Sequence, residues 1–197
     1  MVFVVDDDPD LRRDSELLFE SVGMRCKTFE TANEFLDGYS PEPTSCLVLD
    51  IRLPGMSGLE LQEKLAEMQI DIPIILITGH ADVEMAVSAM RRGAYDFIEK
   101  PFRDQVLLDS INAAIENHTQ SRYVSNRNAE LVRKWASLTP REEEVARLVV
   151  SGKPNKVSAY ELGVSQRTIE IHRARVMRKT GAQSLADLVR ISLIVDK

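Results

Sequence analysis

The chain has 197 residues, 44% of them hydrophobic, and a formal net charge of −6, which suits one large globular domain or two small ones. No apolar run approaches the roughly 20 residues that a helix needs to cross a bilayer, and no signal peptide is recognised, so a soluble cytoplasmic protein is expected. The two cysteines, Cys26 and Cys46, lack metal-like spacing and read as buried thiols in a reducing compartment, not as a disulfide.

The first element is a strand, Val2-Phe3-Val4-Val5, which runs into Asp6 and Asp7. After Asp8-Pro9, Leu11, Leu17 and Leu18 fall at helical spacing, followed by a short strand over 25–29 and a helix around 32–36. A second apolar run, Cys46-Leu47-Val48-Leu49, ends at Asp50, and a third, Ile74-Ile75-Leu76-Ile77, ends at Thr78. Leu59, Leu61, Leu65 and Met68 mark a helix ahead of that third run, and Val83, Val87 and Met90 mark another ahead of a strand over 95–98, which leads to Lys100. A fifth helix spans 104–117 with Leu107, Leu108, Ile111 and Ile115 on one face. Five strands alternating with five helices predict an α/β domain of the flavodoxin-like, doubly wound (βα)5 type. Such sheets bind ligands at the carboxyl ends of their strands, where Asp6, Asp7, Asp50 and Lys100 would gather. Strand-stopping aspartates are common singly; several with matched chemistry point to a site.

From 118 to 137 the chain turns polar without Pro or Gly, which predicts a partly exposed helical linker. Ile111, Ile115, His118, Arg122, Ser125, Ala129 and Val132 fall near a heptad seam, half of it polar. Trp135, the sole tryptophan, is expected to pack against a domain. Charge then changes sign: residues 1–136 carry 14 Lys+Arg against 24 Asp+Glu, and residues 137–197 carry 11 against 7. A basic segment behind an acidic one is a candidate for phosphate backbones.

That segment opens with Thr139-Pro140 and Glu142, a capping box. Val145, Leu148 and Val149 give the helix an apolar face; a short second helix over 155–162 stops at Gly163, and Ser165 caps a third that runs to Lys179. Helix, turn, helix predicts a small all-α DNA-binding unit. With Ile169, His172 and Val176 inward, the outer face carries Arg167, Glu170, Ile171, Ala174 and Arg178, flanked by Arg173 and Arg175. Lys156, Ser165, Gln166 and Thr168 complete the predicted contacts. Arginines would hold phosphates while shorter side chains reach base edges. A solvated surface helix would mix its charges along the face.

The motifs VVDDDP, CLVLDIRLPGMSG, ILITGH and DFIEKPF, followed by LTPREEEVARLVVSGKPNK and GVSQRTIEIHRARVMRKTGAQSLADLV, resemble a two-component response regulator of the FixJ/NarL type over nearly the whole chain. The resemblance implies a receiver over 1–117, the linker over 118–137 and a LuxR-type helix-turn-helix domain over 138–197. It implies that Asp50 accepts a phosphoryl group from a sensor histidine kinase. Asp6, Asp7, Asp50 and the backbone carbonyl of Arg52 would hold Mg2+, with Asp6 acting through water and Asp8 only a neighbour. Lys100 and Thr78 would contact phosphoryl oxygens, Phe97 would rotate behind Thr78, and Lys100-Pro101 would be a cis turn that aims the lysine. Phe97 stands where many relatives carry tyrosine, so packing alone must carry the switch. Gly79 implies an open entrance and easy hydrolysis. The implied partners are the kinase, double-stranded DNA at paired half-sites, a second copy on phosphorylation, and RNA polymerase for an activator.

Departures from the family pattern are Ser158 and Thr180 where apolar residues are usual, both expected to loosen a small core and to make DNA binding depend on dimerisation. Relatives carry a few residues before the first strand, so Met1 reads as a trimmed or alternative start. Two other functions fit parts of the chain. A haloacid-dehalogenase-type phosphatase shares the aspartate nucleophile, but wants a second Asp where Arg52 stands and leaves the basic segment unexplained. A regulator that binds DNA without phosphorylation would have little use for the intact acidic site.

Overall fold

The computed structural model describes residues 1–79 and 83–196; His80 of the ILITGH motif and Lys197 of the predicted DNA-binding segment lie outside the described residues. The chain divides into two compact units, Met1–Ser121 and Arg122–Lys197.

The first unit is built on strands β1 (Val2–Val5), β2 (Cys26–Phe29), β3 (Cys46–Asp50), β4 (Ile74–Thr78) and β5 (Asp96–Glu99), with helices α1 (Pro9–Ser21), α2 (Ala32–Gly38), α3 (Gly58–Glu67), α4 (Val83–Arg91) and α5 (Asp104–Ala136). Strand order is β2-β1-β3-β4-β5, every pair parallel. This is the predicted flavodoxin-like fold, and its order reverses between β1 and β3. Every residue of β1, β3 and β4 is buried, which is why those strands read as continuous apolar runs instead of alternating ones. Alternate residues still go to opposite faces. Phe3, Val5, Leu47, Leu49 and Leu76 pack with Phe35, Leu61 and Leu65, while Val2, Val4, Val48, Ile75 and Ile77 pack with Phe19, Leu107 and Ile111. Val5 pairs with Leu49, so the register sets Asp6 beside Asp50. Cys26 is half-buried and Cys46 buried, both free thiols.

β2 begins one residue later than expected, at Cys26, and β5 is shifted by one residue at both ends, to Asp96–Glu99. Helix α5 continues through the predicted linker for 33 residues, as a stretch without Pro or Gly allows. Of the heptad seam, Ile111 is buried against the sheet, whereas Arg122, Ser125, Ala129 and Val132 are exposed.

The second unit contains α6 (Pro140–Val150), α7 (Asn155–Leu162), α8 (Gln166–Thr180) and α9 (Leu185–Val195). The Thr139–Glu142 capping box is present on both sides, and Ser165 Oγ accepts the Thr168 N–H at 3.1 Å. Glycines at positive φ end α7 (Gly163, 65°) and α8 (Gly181, 77°), where a left-handed residue lets the last carbonyls bond. Trp135, Leu138, Val145, Val149, Ile169, Val176, Leu188 and Ile191 form the core. Trp135 packs as expected. Helix α9 was not anticipated, although Ser184 accepting from Asp187 N at 3.1 Å and the buried Leu188 and Ile191 carry an ordinary start signal and spacing.

The two departures from the family pattern behave differently. Ser158 is fully buried and its Oγ has no hydrogen-bond partner among the described residues. Thr180 corrects its expectation: its Oγ1 donates to the Val176 carbonyl at 2.8 Å and accepts from Ala182 N at 3.4 Å, so a buried hydroxyl that bonds the preceding turn does not loosen the core. Among the described residues, no helix is long and apolar enough to cross a membrane.

Candidate functional site

Asp6 follows β1, Asp50 ends β3, Thr78 ends β4 and Lys100 follows β5, so parallel alignment brings the four to one edge of the sheet. Lys100 Nζ donates to Asp6 Oδ2 at 2.7 Å and to Asp50 Oδ2 at 2.6 Å. Asp6 and Asp50 are buried while Asp7 is exposed at the rim, and carboxylate oxygens of the three lie within 4.8 Å of one another. Three acidic oxygen donors against one ammonium form a donor set suited to a hard divalent cation. Burial pushes the Asp6 pKa up, opposed by the Lys100 hydrogen bond. Burial by itself would lower that of Lys100, but its bonds to Asp50 and Asp6 outweigh it and raise the value.

Every polar group of Asp6 is engaged. Its N–H donates to Phe29 O at 3.2 Å, Oδ1 accepts from Asp8 N at 3.0 Å, and its carbonyl accepts from Arg12 Nη1 at 2.6 Å. Asp8 has a structural task, capping α1 through Asp10 N and Leu11 N. Asp50 Oδ1 accepts the Arg52 N–H at 3.0 Å. Thr78 is fully buried, and its carbonyl accepts from Lys100 N at 2.8 Å. Phe97 is half-buried beside Leu76 on β4. The Lys100–Pro101 peptide bond is cis, as the resemblance implied. Among the described residues, a Cβ on Gly79 would meet nothing within 4 Å.

Two residues at this edge went unnoticed in the sequence. Arg12 braces the Asp6 backbone, with Glu30 at 3.7 Å from its guanidinium. Gly58, the first residue of α3, lies so close to β3 that a Cβ there would come 2.2 Å from the Asp50 carbonyl oxygen. The Gly that follows the capping residue Ser57 was the available signal for the second; nothing in the sequence marked the first.

In the second unit, Gln166, Arg167, Glu170, Ile171, Ala174, Arg175 and Arg178 of α8 are exposed, as is Lys156 of α7, while Ile169 and Val176 point inward and His172 is half-buried. Arg173 departs from its expected place: it is half-buried, with Nη1 on Asn155 Oδ1 at 2.7 Å, so it joins α7 to α8. Ser165 and Thr168 hydroxyls bond each other at 2.8 Å. Elsewhere in the unit, Lys134, Arg141, Arg147, Lys153, Lys179 and Arg190 sit in ion pairs.

Residues 2–112 match the response regulator receiver domain, and residues 136–192 match the bacterial regulatory proteins of the luxR family. The chain belongs to the response regulators. Nodulation protein W of Bradyrhizobium diazoefficiens is 50% identical over 192 residues, covering 98% of this chain and 85% of that protein. FixJ of Rhizobium meliloti is 42% identical over 193 residues, covering 98% and 94%. The solved response regulator StyR superposes with a TM-score of 0.88 at 43% identity, covering 98% and 97%. The family is a receiver joined to a DNA-binding domain and not a catalytic class, which removes the phosphatase reading. Receiver domains typically bind Mg2+ at an acidic cluster of this kind.

Proposed function

We propose that this response regulator is a phosphorylation-controlled transcription factor of the cytoplasm, most consistent with an activator. A sensor histidine kinase presents a phosphohistidine; an Asp50 carboxylate oxygen attacks phosphorus, the P–N bond breaks, and the acyl phosphate on Asp50 is the signal. The observation that carries this reading is the Lys100 ammonium shared between Asp6 and Asp50 at 2.7 and 2.6 Å, because it sets a fixed cation where a phosphoryl group on Asp50 would place its charge.

Asp6, Asp7, Asp50 and the Arg52 carbonyl are the residues that would hold Mg2+. When bound, the ion supplies charge that lets an anionic phosphoryl approach three carboxylates. Thr78 donates to a phosphoryl oxygen, and Phe97 repacks as Thr78 moves. Gly79 adds no side chain beside Thr78, so the phosphoryl half-life is expected to fall well short of many hours. In the second unit Lys156, Arg167, Arg175 and Arg178 take phosphates, and Gln166, Glu170, Ile171 and Ala174 face base edges in the major groove. Ser165 and Thr168 shape the start of that helix. The phosphorylated chain pairs with a second copy to engage two half-sites, and RNA polymerase is the downstream partner.

The test is footprinting on genomic fragments with wild type and Asp50→Asn, each with and without a small phosphoryl donor. Protection by wild type that rises with donor, and does not rise in the variant, is expected. Equal protection in all four arms would overturn the reading in favour of constitutive DNA binding.

A further inference from the structure

Three consecutive residues, Tyr95, Asp96 and Phe97, are tied to helix α5 at two points. Asp96 Oδ1 accepts the Phe97 backbone N–H at 2.8 Å, and its Oδ2 accepts from Ser110 Oγ at 2.7 Å. One turn pair further along, Asn117 Nδ2 donates to Tyr95 Oη at 2.7 Å. Ser110 and Asn117 are seven residues apart, which places them on the same face of α5. Ser110 is buried and the Asp96 bridge partly so, whereas the Tyr95 tie is exposed. Hydrogen bonds to a carboxylate are roughly twice as strong as neutral ones, so the Asp96 bridge dominates.

We infer that Asp96 is the coupling residue between Phe97 and α5, its single carboxylate holding the Phe97 amide with one oxygen and the Ser110 hydroxyl with the other. A rigid planar group with both ends occupied transmits displacement. A repacking of Phe97 that shifts its backbone must therefore either drag α5 through Ser110 or break a charge-assisted bond. Tyr95 and Asn117 add a second tie at the last turn of α5 before the unit ends at Ser121. Asp96 acts through other residues and touches no reacting group; it is a positioning residue. The inference rests on the proposed role of Asp50 and Phe97.

The test uses the full-length chain with Mg2+ and beryllofluoride as the phosphoryl mimic, and reads hydrogen–deuterium exchange of α5 peptides. Stoichiometry of acetyl-phosphate labelling is followed in parallel by intact mass. Wild type should change exchange in α5 on adding beryllofluoride. Ser110→Ala and Asp96→Ala should label as wild type does, yet lose at least four-fifths of that change. Asp96→Asn keeps an acceptor for Phe97 N and gains a donor for Ser110 Oγ, so it should restore the response; a role in stability alone would not separate it from Asp96→Ala. If Ser110→Ala labels normally and responds like wild type, the coupling is refuted while phosphoacceptance stands. If wild type itself takes no phosphoryl group, the underlying reading and this inference fall together.

Discussion

Replacing Ser158 by Ala should stabilise the second unit. The Ser158 Oγ is buried without a partner among the described residues, and a buried hydroxyl in that condition costs about 1–3 kcal/mol. Alanine also favours the middle of a helix over serine by about 0.5 kcal/mol, and the single lost oxygen leaves a void worth only a few tenths back. The net expectation is a gain of about 1–2 kcal/mol. Urea unfolding followed by tryptophan fluorescence reads this unit alone, because Trp135 is the sole tryptophan and lies in its core. With a slope of about 1 kcal/mol/M for so small a unit, the midpoint should rise by about 1–2 M. Thr180→Val is the contrast: it deletes a hydroxyl bonded to Val176 O and should lower the midpoint. A Ser158→Ala midpoint equal to or below wild type would refute the reasoning.

Gly58→Ala should be damaging out of proportion to its size. Moving a Cβ from 2.2 Å to ordinary contact at 3.4 Å displaces the Asp50 backbone by about 1 Å, which costs about 1–3 kcal/mol and of order a hundredfold in phosphorylation rate; a wild-type rate with acetyl phosphate would contradict this. Hydrogen bonds from Lys179 and the Thr139 N–H hold the Glu142 carboxyl at about 2 against its ordinary 4.5. Because the folded value is the lower one, that stabilisation is complete above 4.5 and disappears as pH falls toward 2. Tryptophan-monitored stability of wild type minus Glu142→Gln should shrink across that window, and a pH-independent difference would count against it. Burial pushes the thiols of Cys26 and Cys46 up to about 12, so neither should react appreciably with a thiol-specific disulfide reagent at pH 8 until the chain unfolds.

What the sequence revealed, and what it hid, follows from which atoms carry each interaction. Asp6, Asp50 and Thr78 were legible because each ends an apolar run, and Lys100 because it follows a predicted strand; parallel strands align their ends. The Thr139 box and the left-handed Gly163 were legible because cap chemistry is local. Arg12 and Gly58 were harder to see, because both act on backbone atoms, Arg12 on the Asp6 carbonyl and Gly58 against that of Asp50, and a side-chain pattern carries little record of those. Arg173 looked like its neighbours on α8, and only its angle toward Asn155 separates it from the outward arginines. Thr180 was misjudged for a similar reason: a hydroxyl in a helix can bond the preceding turn, which residue type alone does not disclose. Helix α9 had its signals and was passed over.

The burial of Trp135 has a practical consequence for dissecting the protein. The last turns of α5 supply Trp135, and Leu131 packs beside it, to the same core as Val145 and Leu188. A fragment cut where the helix-turn-helix motifs begin, at 138, would discard that tryptophan and leave an apolar socket open to solvent. Such a piece would be prone to clump, and weak DNA binding by it would say little about the intact chain. The cut that respects this core falls near Arg122, at the end of the first unit.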